Sequence, residues 1–574
     1  MVVRVFLLLA FGLVPVFCQS TCEGVAAYLP CEFTFDLAAS DAAAHPNLYQ
    51  DVDIHLEFRS PHFRTFLMPA FWAGGRKFIV RFVPTEGGNW TYRITSNISS
   101  LEGQQGSFNA ADSDAPGYVR VANVHHWATE NKKPHLWMGC VIDDFGFLAS
   151  AEFDRSLAAA EAAKFNHVQG SILGSLAQQN QAYSAADNPN LTYFHELDRR
   201  VMEAHKKRIT TDLVLAADPG ALAKLFPDWR SRKYFVRYVV GRYGALNVTW
   251  QLVEQFEGHP EARALLKEIG LALKEADAYQ HPRSSNAKLT SSPLLGDGWM
   301  DFVIDHSQND QIGAVEHQFY QVPFIGITSV QHIWNATMNG QYPEIEGKYG
   351  QEPKNWFDLM SDRRHWELEP YFDVDSARCV ALDGVDYVVL VEKSGPIEVE
   401  VEKHSYDVSW LNPVSGELLE AKKYHGEHYT GQEPDSAHPW VLLIAREGRE
   451  ESMLKSWKFE SRPVTVQDIE LSVAKVPYQI SEPTQDSIPQ SVPVRFAAKL
   501  TRETRATRTM MYVWTGEVPA DGLGFRVLGT GAQGTFAIPS DIATRYPAVI
   551  SIRLNALNAN GKAYSADKVY QLYK

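Results

Sequence analysis

The chain has 574 residues, 45% hydrophobic and 21% charged, with 38 glycines and 30 prolines dispersed along its length. This composition excludes disordered, collagen-like and coiled-coil chains and allows about three to five domains. The formal charge is −15, from 69 acidic against 54 basic residues, with no basic run beyond Lys206 to Arg208, which argues against nucleic acid and anionic membrane surfaces as partners.

At the N-terminus a single Arg4 precedes the apolar run Val5 to Phe17, and Cys18, Gln19 and Ser20 follow. The run is too short to span a bilayer and has the anatomy of a signal peptide over residues 1–20, so a secreted or periplasmic protein is expected, with no membrane span in the mature chain. In an oxidising compartment Cys22 and Cys31 are close enough to form a disulfide, whereas Cys140 and Cys379 read as small buried hydrophobes.

Residues 21–121 read as short strands with glycine turns. Alternation in Val52, Ile54, Leu56 and Phe58 turns one face inward, and the unit is expected to be a β-sandwich. Over residues 122–370 the texture changes to apolar runs alternating with amphipathic helices. The runs are His135 to Ile142, Asn166 to Leu173, Ile209 to Ala217, Asn247 to Val253, Arg283 to Leu289, Met300 to Asp305 and Val322 to Ile327. The helices include Ala151 to Lys164, Leu197 to Lys207, Ser231 to Tyr243 and Pro260 to Ala276. This repeat predicts a (β/α)8 TIM barrel, and the absence of a glycine-rich phosphate loop after the first strand disfavours a doubly wound sheet. Strand texture returns over 371–450, where Tyr387 to Val391 and Ile397 to Val401 are expected to pair around Ser394-Gly395-Pro396 in a second sandwich. After a charged link at Arg446 to Lys458, residues 460–574 form a last β-sandwich, generic or immunoglobulin-like. The fold class is therefore multidomain, a TIM barrel flanked by β-sandwiches.

Ligand and catalytic groups of such barrels lie at the C-terminal ends of the strands. Those positions hold Asp143 and Asp144 after the first strand, Trp250, Glu254, Gln255 and Glu257 around the end of the fourth, and Asp305 and His306 after the sixth. Two carboxylates facing a sugar can hydrolyse a glycoside, one protonating the leaving oxygen and the other attacking the anomeric carbon or activating water. For any single acid in this set a helix cap or solvated loop charge is the plainer reading. No HExxH, CxxC or Walker loop occurs, so no cofactor or metal is expected.

The segment Phe82 to Tyr92 resembles the signature of an N-terminal sandwich of unknown function that precedes the barrels of apiosidase-like glycoside hydrolases. Pro134 to Gly139, Phe165 to Gln169, Asn247 to Trp250 and Trp334 to Gly340 resemble segments of those barrels. The resemblance implies a carbohydrate substrate or ligand, and it implies an acid/base Glu ending the fourth strand within an Asn-Glu pair. Here that spacing holds Glu254-Gln255. A Gln cannot exchange the proton, and Glu254 stands one residue early, on the face opposite its strand neighbour; Glu257 is the fallback. The resemblance also implies a nucleophilic Glu ending the seventh strand, but Val322 to Val330 contains none, and Asp305 or Glu344 are the substitutes. Two readings follow. One is a glycoside hydrolase using Glu254 or Glu257 with Asp305, substrate contacts from Asp143, Asp144, Gln255 and His306, and Trp250 and Trp299 as stacking platforms. The other is an inactive carbohydrate-binding protein that keeps the cleft.

Overall fold

The computed structural model describes residues 18–175, 177–259, 262–448, 478–500, 511–558 and 561–574. The apolar leader over 1–17 and most of the charged link lie outside the described residues.

The N-terminal unit is a sandwich of two four-stranded antiparallel sheets. The strand Ile54–Arg59 buries Ile54, Leu56 and Phe58 and turns His55, Glu57 and Arg59 outward, as a period of two requires for a half-buried strand. Those side chains join Phe33, Phe82, Trp90 and Phe108 in one core. The expected Cys22–Cys31 disulfide is formed, and Cys140 and Cys379 are free and buried. A hairpin of Val119–Ala122 and His126–Thr129 then leads to the barrel. Its Trp127 packs at 4.7 Å on Trp137 and at 5.4 Å on Phe302, closing the barrel at its N-terminal end.

Eight parallel strands follow: β1 Gly139–Val141, β2 His167–Leu173, β3 Thr210–Ala216, β4 Val248–Val253, β5 Arg283–Ser284, β6 Val303–Asp305, β7 Phe324–Thr328 and β8 Tyr342–Ile345. They are hydrogen-bonded in the order β5-β4-β3-β2-β1-β8-β7-β6. The gap between β5 and β6 is closed by side chains and single backbone bonds: Ser284 Oγ donates to Phe302 O at 2.8 Å, Ser291 Oγ accepts from Ile304 N at 2.9 Å, and Asp301 N donates to Arg283 O at 2.9 Å. Serine-rich sequence here competes with the ladder, which is why β5 is only two residues long where a longer run was expected. At β1 the Asn166 side chain takes the Met138 N–H (2.9 Å) and the Leu136 carbonyl (2.7 Å), displacing ladder bonds and shortening the predicted His135 to Ile142 strand.

The helices around the barrel include α1 Ser150–Ala162, α2 Leu191–Lys206, α3 Trp229–Tyr243, α4 Ala262–Ala276, α5 Asp310–Phe319, α6 Ile333–Met338 and α7 Glu352–Ser361. Helix α2 begins earlier than its periodicity suggested because the Asn190 side chain caps it, accepting from Thr192 N and Tyr193 N. Helix α3 carries the N-terminal sandwich. A Cβ on Gly241 would lie 3.1 Å from Pro69 O, so the small residue permits the close approach. Arg242 lies over the Phe71 ring at 4.5 Å and pairs with Asp198 at 2.7 Å.

The next unit is one continuous seven-stranded sheet. Its long strand Ile397–Leu411 carries a register shift between Glu400 and His404. Tyr387 to Val391 does not pair with Ile397 to Val401 as expected. It lies between Arg378–Leu382 and Trp440–Arg446, and the latter pairs with the far half of the long strand. Burial explains the choice: Val388 and Leu390 pack on the barrel core, while Val389 and Val391 face the unit's own core, so the strand sits in the middle of the sheet. The last unit has sheets of three and five strands around Phe496, Trp514 and Ile552. Its Val513 and Leu557 pack against Ile312, Val315 and Phe319 of α5.

Candidate active site at the barrel mouth

Strand β4 ends at Val253, and the chain bends at Glu254 before Gln255 takes a left-handed conformation (φ 45°). The bend releases Glu254 from strand alternation. Its N–H still donates to Ala216 O of β3 at 3.2 Å, but its carboxyl lies in the mouth, where it feels the charges of Glu346, Asp143 and His306. Burial first, then Glu346 and Asp143, push its pKa up to about 7.

Glu346 follows β8, and its N–H donates to Thr328 O of β7 at 2.9 Å. His306, the first residue past β6, places Nε2 3.3 Å from Glu346 Oε2. That hydrogen bond holds the Glu346 carboxyl below its usual range against partial burial, and the same contact raises His306. The mouth thus contains one carboxyl disposed to keep its proton and one disposed to lose it. Asp143 is exposed at the rim, its negative charge felt by Glu254. Asp144 accepts from Gln178 Nε2 at 2.6 Å, and its carbonyl accepts from Phe147 N and Leu148 N, so it shapes the loop after β1.

The structure separates the other expected residues from the mouth. Asp305 is buried on the outer face of β6: it accepts from Gln341 Nε2 at 2.7 Å and lines a cavity of ≈ 250 Å³ beneath α5 and α6. Its register partner Gly326 faces Ala336 of α6, which fixes that side as the helix side. Glu257 accepts from the Lys288 N–H at 2.9 Å and 3.1 Å and the Leu289 N–H at 3.5 Å, pinning the loop after β5. Trp250 and Trp299 are fully buried and cannot stack on a ligand. Trp250 alternates outward from Thr249 and Gln251 and donates to Asp277 at 3.0 Å, and Trp299 packs under Gly270 of α4. Gln255 is exposed at the left-handed turn.

Below the mouth the barrel interior is polar. Asp212 accepts from Thr249 Oγ1 at 2.5 Å and lies 3.0 Å from His167 Nδ1, whose Nε2 is 2.9 Å from His135 Nε2. Gln169 donates to Gln251 Oε1 at 3.1 Å. Glu344 projects inward from β8 against Gly139 and His167. Burial, and then Asp212, push Glu344 well above the carboxylate range, and burial does the same to Asp212.

The mouth brings Glu254, Asp143 and His306 together with Glu346, a residue not singled out from the sequence. The signal was present: once Glu344 is inward, a period of two puts Glu346 on the same face one layer nearer the mouth.

A parallel eight-stranded barrel with carboxyls gathered at the C-terminal ends of its strands is an arrangement on which glycoside hydrolysis can be built. Residues 122–366 match the family described as apiosidase-like, catalytic domain, and residues 24–97 match a domain of unknown function, DUF5060. The chain therefore carries an apiosidase-like catalytic domain behind that N-terminal module. No curated protein matches the sequence. Among solved structures, a candidate glycoside hydrolase from Bacteroides vulgatus is similar at 15% identity and a TM-score of 0.61, covering 74% of this chain and 100% of its own. A glycoside hydrolase family 5 protein from the same organism is similar at 13% identity and a TM-score of 0.50, covering 61% and 97%. At these identities the likeness is one of fold.

Proposed function

We propose that the protein is a secreted glycoside hydrolase acting on a polysaccharide or oligosaccharide, with Glu254 as general acid and Glu346 as base or nucleophile. The observation that carries this reading is the opposite displacement of the two carboxyls within one mouth, a pattern that assigns acid and base roles. Glu254, protonated near neutrality, donates to the glycosidic oxygen as the bond to the anomeric carbon breaks. Glu346, ionised and oriented by His306, attacks that carbon or takes the proton of an attacking water. The Asp143 charge favours the protonated form of Glu254 before the leaving group departs. Secretion is supported by the leader sequence and by the Cys22–Cys31 disulfide, a bond that persists in oxidising compartments.

The test is reducing-sugar release from a panel of plant and microbial polysaccharides, measured beside binding to the same glycans. Turnover by the intact chain that Glu254→Gln and Glu346→Gln each lower by orders of magnitude supports the assignment. Binding with no turnover, unchanged by either substitution, would establish a sugar-binding protein instead.

A further inference from the structure

At the end of the barrel opposite the mouth, three segments distant in sequence converge on one carboxylate. His125 and His126 come from the hairpin that closes the barrel floor, His317 from the C-terminal turn of α5, and Glu369 from the strand Glu369–Tyr371 that begins the seven-stranded sheet. His125 Nδ1 lies 3.2 Å from both Glu369 oxygens. His317 Nε2 lies 3.4 Å from Oε2, and His126 Nε2 lies 3.2 Å from Oε1. The donor atoms of His125, His317 and Glu369 all fall within 4.8 Å of one another.

Three features of this cluster are poorly explained by side-chain packing alone. First, His317 is 1% exposed, and neither of its ring nitrogens has a hydrogen-bond partner among the described residues. A buried imidazole left in that condition forfeits its hydration without replacement. Second, His125 Nε2 is 2.9 Å from the Tyr320 carbonyl. That bond places a proton on Nε2 and leaves Nδ1 for the Glu369 side, the arrangement in which a ligating histidine anchors its second nitrogen. The other side chain within reach of Glu369, His126, is 4% exposed, with Nδ1 2.8 Å from Tyr342 Oη and Nε2 3.2 Å from Glu369 Oε1. Third, the two contacts to Glu369 have the spacing of ligands on one ion. Four ligands about 2.0–2.1 Å from a tetrahedral zinc lie roughly 3.3 Å from each other, and the contacts to Glu369 are 3.2 and 3.4 Å.

We propose that His125, His317 and Glu369 bind a divalent transition-metal ion of the zinc class, with the fourth position left to water or to His126. Imidazole and carboxylate donors together suit zinc over magnesium or calcium. The ion ties the floor hairpin, helix α5 and the first strand of the seven-stranded sheet into one unit. Because α5 also carries the last domain through Val513 and Leu557, the site stands where four parts of the chain meet. Its position on the floor separates it from the chemistry of the mouth, so the role assigned is structural. The ligands are dispersed over 244 positions from His125 to Glu369 and form no spacing motif, so no metal was expected from the sequence.

The experiment uses the full mature chain, stripped with a chelator and dialysed against zinc chloride, with metal content measured by mass spectrometry and unfolding followed with and without zinc. The expected result is one zinc per chain and a higher Tm with zinc but not with magnesium. Both are lost in His317→Gln and in Glu369→Gln and retained in His306→Gln, which removes the only histidine assigned to the mouth. If a variant fails to fold, the wild-type stoichiometry and a tetrahedral cobalt(II) absorption spectrum still decide the matter. No zinc above background in the wild type, zinc retained by both floor variants, or zinc lost with His306→Gln would each overturn the proposal. The first of these outcomes would identify the cluster as a protonated His125 paired with Glu369.

Discussion

Glu344 on β8 and Glu346 just past it are two residues apart on one face, yet the fold drives their ionisation in opposite directions. Glu344, one layer down, is fully buried, has Asp212 as its electrostatic neighbour, and is held neutral. Glu346 is half-exposed, has His306 at 3.3 Å, and is held ionised. A carboxylate in a barrel becomes a base only where a cationic partner and some solvent offset its desolvation. Without them it is a protonated hydrogen-bonding group inside the core. The same contrast separates Glu254 from Glu346 across the mouth, where burial and like charge raise one and His306 lowers the other.

That contrast can be broken in order of effect. Glu254→Gln and Glu346→Gln each lower kcat/KM by about 10²–10⁴-fold, the usual contribution of a general acid or base, with Tm close to that of the wild type. Glu344→Gln replaces a neutral acid with a neutral amide and leaves turnover near the wild-type value; a loss as large as that of Glu346→Gln would erase the distinction between the two layers. Trp250→Ala and Trp299→Ala each cost about 3–5 kcal/mol of stability through cavity formation, measured by denaturant titration, while KM of the folded protein is unchanged. His306→Gln frees Glu346 from its partner, so its pKa rises and the acidic limb of the pH–rate profile moves to higher pH. The smallest effect is that of Asp305→Asn, which faces the helices and leaves both limbs in place.

Much of this architecture was legible because hydrophobic periodicity survives in sequence. Alternating apolar runs and helices gave the barrel, and the period of two in Ile54, Leu56 and Phe58 gave the sandwich. Side-chain competition for backbone bonds was not legible: Asn166 shortens β1 and Ser284 shortens β5, and neither effect has a pattern of its own. The pairing of Tyr387 to Val391 was misread because a Ser-Gly-Pro turn signals a reversal without saying which strands become neighbours. Within the site, strand alternation alone turned Glu254 away from the mouth, since the bend before the left-handed Gln255 that brings its carboxyl there is a property of backbone conformation. Trp250 and Trp299 were assigned to the ligand from residue type alone, and burial under α4 and against Asp277 overrules that assignment.

The central claim is that Glu254 works as the protonated member of the pair. The most direct measurement is kcat/KM as a function of pH for the wild type and for Glu254→Gln on one hydrolysed glycan. Because the general acid must carry its proton, wild-type activity is predicted to fall as pH rises through about 7, and the residual activity of Glu254→Gln is predicted to lack that limb. A variant that keeps the wild-type rate and the same alkaline limb would contradict the account.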